Sequence, residues 1–141
     1  MAEVSGAEPV GIRAVSELTG LSMDTLRWYE REGLLPLVER DADGRRRYPP
    51  AAVRFVRLVQ ALRRTGMPVE DVRAFVRMGS GLEWHERRAA LLEEHATAIE
   101  RRIERLREDL AVVRDKIAHH HDLRRRGLDC EDEIEAEGDR A

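Results

Sequence analysis

LTGLSMDTLRWYEREGLL, residues 18 to 35, reads as a tight turn, a short basic helix and a sharp stop. Gly20 can take the backbone angles of an inter-helix turn, Ser22 is suited to cap the following helix, and Asp24 in its first turn favours the positive helix end. Gly33 supplies the stop. Between cap and stop, Thr25, Arg27, Tyr29 and Arg31 offer hydroxyl, guanidinium and phenol groups, while Leu21, Leu26 and Leu34 can turn inward. One face packs and the other can meet phosphates or base edges, as in the reading helix of a helix-turn-helix unit.

Upstream, Ile12, Val15 and Leu18 recur at helical spacing and predict a scaffold helix over 10–19, with the reading helix at about 23–32. Residues 1–9 are small and polar and read as a loose arm. Downstream, VERDADGRRRYPP (38–50) places the turn signal Asp43-Gly44 between two short segments, and Pro49-Pro50 closes the second. This predicts a two-stranded wing whose far strand carries Arg45, Arg46, Arg47 and Tyr48. Helical periodicity resumes over 51–64 through Phe55, Val56, Val59 and Leu62, and a shorter helix follows from Val69 to Met78. A winged helix-turn-helix domain is therefore expected over 10–79, with Gly79-Ser80-Gly81 as a flexible junction.

Beyond the junction, Leu92, Ala96, Ile99, Ile103, Leu106, Leu110, Val113 and Ile117 alternate steps of four and three, a heptad seam. A lone helix with such a stripe leaves it in water unless another helix covers it, and a second copy of the chain is the simplest cover. At about 25 cal/mol per Å² of apolar area, this seam can supply on the order of 10 kcal/mol before entropy losses. A coiled-coil dimerisation helix is expected over 82–124. Its direction stays open: in a parallel register Asp109 favours the partner's Arg114, yet Arg102 would face Arg107. The expected fold is thus mainly α, a winged helix-turn-helix domain followed by a long dimerisation helix.

Composition agrees with this reading. The 141 residues are 38% charged and only 4% aromatic, which disfavours a large globular core. The net charge of −3 divides into +2 over 1–79 and −5 over 80–141, so a nucleic-acid surface must come from clusters such as Arg45 to Arg47. One cysteine, Cys130, excludes an intramolecular disulfide. With no signal peptide and no membrane-spanning run, the cytoplasm is the expected location. Serines, histidines and the cysteine form no nucleophile or triad pattern, so an enzyme is not expected. His119, His120 and His121 with Cys130 are weak metal candidates, since adjacent histidines on a helix point in different directions. Cys130 sits among Asp129, Glu131, Asp132 and Glu133, a setting that disfavours the thiolate. The acidic stretch over 125–141 reads as a disordered, solvating tail. A competing reading from another class is a coiled-coil interaction module with secondary or lost DNA binding.

Scaffold helix, LRWYEREGLL signature, GRRRY wing, the ALRRTGMPVEDVRAFV pair and a terminal helix occur in order from residue 10 to about 120. In this the chain resembles the MerR family of bacterial transcription regulators, with Trp28 where Tyr or Phe is more usual. The resemblance implies that Arg27 and Tyr29 hold phosphates and that Ser22 and Thr25 approach the major groove. It places Arg45 to Arg47 and Tyr48 on the flanking backbone, with Arg63 and Arg64 as weaker phosphate contacts. Tyr29 suits a core position equally well, given its amphipathic ring. The implied mechanism is a homodimer on promoter DNA that bends and untwists an overlong spacer so that RNA polymerase can engage both elements. Deforming a site of this size costs on the order of 1 to 10 kcal/mol, which two wings and two reading helices can offset. No cofactor is implied, and the inducer, operator and direction of regulation are not legible. About 20 residues follow 121, which argues against the large effector domain of drug-sensing relatives. The short form is nearest to the aldehyde- or electrophile-responsive subgroup, but Ala61 stands where that subgroup carries its cysteine. Pro68 replaces a usual Ser cap, and proline suits a first helical turn.

Overall fold

A computed structural model describes residues 8–129. In chain order the elements are α1 (Ile12–Thr19), α2 (Met23–Arg31), β1 (Glu39–Arg40), β2 (Arg46–Arg47), α3 (Pro50–Arg64), α4 (Val69–Arg77) and α5 (Leu82–Arg126). The fold is mainly α, as expected, with a small antiparallel hairpin in which Glu39 faces Arg47 and Arg40 faces Arg46. α1 packs on α2 and α3, and α3 packs on α4.

The α1–α2 turn is closed by hydroxyl groups as well as by glycine. Gly20, at φ 78°, donates its N–H to the Ser16 carbonyl at 2.8 Å. Thr19 Oγ1 donates to the Val15 carbonyl at 2.8 Å and accepts the Leu21 N–H at 3.2 Å, while Ser16 Oγ donates to the Leu21 carbonyl at 2.6 Å. Ser22 caps α2 as expected, accepting the Thr25 N–H at 3.0 Å. At the far end Gly33 N–H bonds the Glu30 carbonyl and Leu34 N–H bonds the Tyr29 carbonyl, a Schellman stop. α3 ends in the same way, through Gly66 to Arg63 and Met67 to Leu62. α4 forms without a side-chain cap, because Pro68 takes the cap position and its carbonyl accepts from Asp71 and Val72 at 3.1 Å.

Val15, Leu26, Tyr29, Leu34, Tyr48, Val53, Val56, Val59 and Val72 join one buried cluster, which draws on all four short helices and the wing. Phe55, expected inside, is half-buried, and Ala52 and Val53 take the inner face of α3 instead. Polar ties add direction: Gln60 Nε2 donates to the Thr19 carbonyl at 2.8 Å, and Arg73 grips Glu32 through its carbonyl (2.8 Å) and carboxylate (2.9 Å). These bonds set α3 against α1 and α4 against the end of α2.

Two compact units result, and the first runs through His95 rather than stopping at 79. The opening turns of α5 pack on this first unit. Leu91 and Leu92 lie against its core, and His95 Nε2 is 2.7 Å from Thr65 Oγ1. The junction expected to be flexible is braced by side chains. Arg88 donates to the Met78 carbonyl at 2.7 Å and lies over the Phe75 ring, and a Cβ on Gly79 would come within 2.5 Å of the Trp84 indole nitrogen. In the second unit α5 continues to Arg126 and stops at Gly127, with Leu128 N–H bonded to the Leu123 carbonyl at 2.9 Å. Ile103, Leu106, Leu110, Val113 and Ile117 are 41–60% exposed there. The arm up to residue 7 and the tail from Cys130 onward lie outside the described residues.

Gly33→Ala places a Cβ at φ 73°, in ordinary contact with Arg77 Nη2 at 3.7 Å but on strained backbone. The expected loss is about 1 to 2 kcal/mol of stability, read as a lower midpoint in chemical denaturation with an unchanged slope.

Candidate nucleic-acid interface

Leu26 and Tyr29 pin α2 to the core, which leaves Ser22, Asp24 and Arg31 exposed and Thr25 and Arg27 half-buried. Ser22 is occupied by capping, and its hydroxyl donates to Thr25 Oγ1 at 2.9 Å. Thr25 therefore keeps a free hydroxyl proton with which to donate outward. Arg27 pairs with Asp24 at 3.0 Å, one turn away, with the Asp24 side chain 94% exposed. Such a pair is weak and readily exchanged for a phosphate. Arg31 is exposed at the end of α2 and has no ion pair among the described residues.

The hairpin turn forms at Asp41 to Gly44. Gly44 N–H bonds the Asp41 carbonyl at 3.0 Å, Gly44 adopts φ 79°, and Asp41 Oδ1 accepts from the N–H groups of Asp43 and Arg45. The arginine triplet that follows does not act as one cluster. Arg45 is exposed and its side chain has no partner among the described residues. Arg46 pairs through Nε with Glu30 of α2, and Arg47 Nη2 donates to the Pro9 carbonyl at 2.6 Å. Val10, just past the expected loose arm of 1–9, bridges Tyr48 through two backbone bonds, and the Arg47 bond to Pro9 fastens the end of that arm to the wing.

Both tyrosines depart from the expected phosphate contacts. Tyr48 is 0% exposed and Tyr29 only 6%, because each fills the core between the reading helix, the wing and α3. Burial raises the Tyr48 phenol pKa, reinforced by the charge of Glu30 and opposed by Arg46, Arg27 and Arg40. Burial also raises that of Tyr29, against an opposing effect from Arg63. The Tyr48 hydroxyl is buried without a hydrogen-bond partner among the described residues. Arg63, a candidate phosphate contact, donates to the Met67 carbonyl at 2.9 Å and so holds the α3–α4 turn.

The organising acid, Glu30, was absent from the sequence-derived site, as were Arg54 and Arg57, which are exposed on α3. The spacing of Arg54 and Arg57, three residues apart and off the face that buries Ala52, Val56 and Val59, is the signal that could have found them. Among the metal candidates, the His119 and His120 rings meet edge-on at 6.2 Å. No group of three or more His, Cys, Asp or Glu able to hold a metal forms among the described residues, and Cys130 lies outside them. Among the described residues no helix is long and apolar enough to cross a membrane.

A capped reading helix, a two-stranded wing and a second helix pair define a winged helix-turn-helix DNA-binding protein. Residues 11–78 match the MerR HTH family of regulatory proteins, and residues 53–119 match the MerR DNA-binding family. An uncharacterized HTH-type transcriptional regulator of Haemophilus influenzae is 34% identical over 106 residues, covering 74% of this chain and 78% of the relative. The HTH-type regulator YyaN of Bacillus subtilis is 42% identical over 72 residues, covering 51% and 52%. Among solved structures, HiNmlR, a MerR family regulator lacking the sensor domain and bound to promoter DNA, aligns with a TM-score of 0.76 at 30% identity, covering 85% of this chain and 96% of that one. The chain belongs to the MerR family and is a DNA-binding transcriptional regulator.

Tyr48→Phe separates core from contact. Removing a buried, unpartnered hydroxyl is expected to leave stability at neutral pH unchanged or raised by about 1 kcal/mol, with DNA affinity unaltered. The raised phenol pKa values give the pH sign. Their contribution is fully present below the ordinary phenol value of about 10 and is lost as pH rises through the higher folded value, since the unfolded chain releases the proton first. Tyr48→Phe should therefore soften the alkaline loss of stability, measured by denaturation across that range.

Proposed function

We propose that this regulator acts as a homodimer on promoter DNA, reading sequence through α2 and bracing the flanking backbone with the wing. The observation that carries this is the separation of faces on α2. Leu26 and Tyr29 are buried, while Thr25 and Arg27 are half-buried and still reach solvent, and the wing presents an exposed Arg45. Thr25 is suited to base edges, and Arg27, Arg31 and Arg45 to phosphates.

The homodimer assignment is supported by the apolar row on α5, from Ile103 to Ile117, which a monomer leaves in water. Leu92 packs on the core of its own domain, so the dimer seam starts further along, at about Ile99. Regulation by distorting an overlong spacer, with RNA polymerase as the protein partner, follows the family pattern. The promoter-bound state of HiNmlR supports DNA as the ligand. The cytoplasm is the matching location, and the coiled coil serves DNA binding rather than acting as a separate interaction module.

The test is selection of the full-length protein against random duplex DNA. An inverted repeat with one fixed spacing is expected. No enrichment from a folded dimer would overturn the reading. On the selected duplex, Arg27→Ala and Arg45→Ala are each expected to weaken binding by a few-fold and to lower the salt slope by about 1, with the dimer intact. Leu106→Asp places a charge in the seam and is expected to abolish dimer and binding together, read by sedimentation and mobility shift. Arg47→Ala is expected to act through the Pro9 tie rather than through phosphate, leaving the salt slope unchanged.

A further inference from the structure

Both oxygens of the Glu30 carboxylate face the wing. Oε2 accepts from Arg46 Nε on β2, and Oε1 lies 3.4 Å from Arg40 Nη2 on β1. The other terminal nitrogen of Arg40 donates to the Gly44 carbonyl at 2.8 Å. The Glu30 and Arg46 side chains are only 23% and 25% exposed, so this pair is screened less than a surface pair. Arg47 is already committed to Pro9. Of the four wing arginines, three end on acceptors among the described residues and Arg45 does not.

This division matters because phosphate contacts carry no sequence information. Each one raises affinity for every duplex alike, and adds about 0.9 to the slope of log affinity against log salt. A hairpin offering four guanidinium groups would grip any DNA it touched. We propose that Glu30 withholds Arg46 and Arg40 from phosphate and so limits the sequence-independent grip of the wing to Arg45, which leaves base reading by α2 a larger share of the binding energy. The proposal rests on the chain being the DNA-binding regulator described above. It assigns to an acidic residue on the reading helix the task of lowering non-specific affinity.

The experiment uses the full-length protein with the selected duplex and a scrambled duplex of equal length, each titrated between about 50 and 200 mM salt. A wild-type preference for the selected duplex establishes the underlying reading by itself, and its absence overturns that reading whatever Glu30 does. Glu30→Gln keeps the shape and removes the charge. It is expected to steepen the salt slope by about 1 to 2 units and to tighten binding to both duplexes several-fold at the low end, leaving their ratio near that of the wild type. Glu30→Asp, which keeps the charge, is expected to restore the wild-type slope. An unchanged slope in a folded Glu30→Gln protein, with weaker binding to both duplexes, would make Glu30 a brace alone and overturn the proposal. Arg40→Gln/Arg46→Gln provides a second route should Glu30→Gln unfold. Its slope is expected to equal that of the wild type, and a slope lower by 1 to 2 units would show both guanidinium groups already on phosphate, which also overturns it.

Discussion

A hairpin with two residues per strand cannot hold its own shape in water. The wing therefore depends on what fastens it to the helices, and three fasteners act together. Tyr48 buries its ring in the shared core, Val10 adds a backbone bridge at the open end, and Glu30 pairs with cations on both strands. The apolar term holds the wing to the domain, and the ionic term sets which face it turns outward.

This arrangement explains why so basic a segment leaves so little free charge. Arg40, Arg46 and Arg47 are tied to acceptors on α2, the hairpin turn and the N-terminal segment. The same economy recurs elsewhere. Ser22 is used by the cap, Arg63 by the α3–α4 turn and Arg73 by Glu32. A domain with few aromatic residues has a modest core, and charged side chains supply the orientation that a larger core would give by shape.

The two units carry different tasks. The first ends not at the glycine junction but at His95, because Leu91, Leu92, Trp84 and Arg88 fasten the opening turns of α5 to it. From there the apolar row is exposed, which is the arrangement expected of a helix whose cover comes from another chain.

Helix order, the cap at Ser22, the stops at Gly20 and Gly33, the wing turn and the heptad row were all legible in the chain, because each rests on local backbone preference or on periodicity. The family signature was legible for the same reason, being a run of adjacent residues. The roles of Tyr29 and Tyr48 were not, since an amphipathic ring suits core and surface equally and only packing decides between them. Nor could the sequence divide Arg45 from Arg46 and Arg47. Three neighbouring guanidinium groups look alike in a string, and which of them stays free depends on Glu30 and Pro9, which only the folded chain brings within reach.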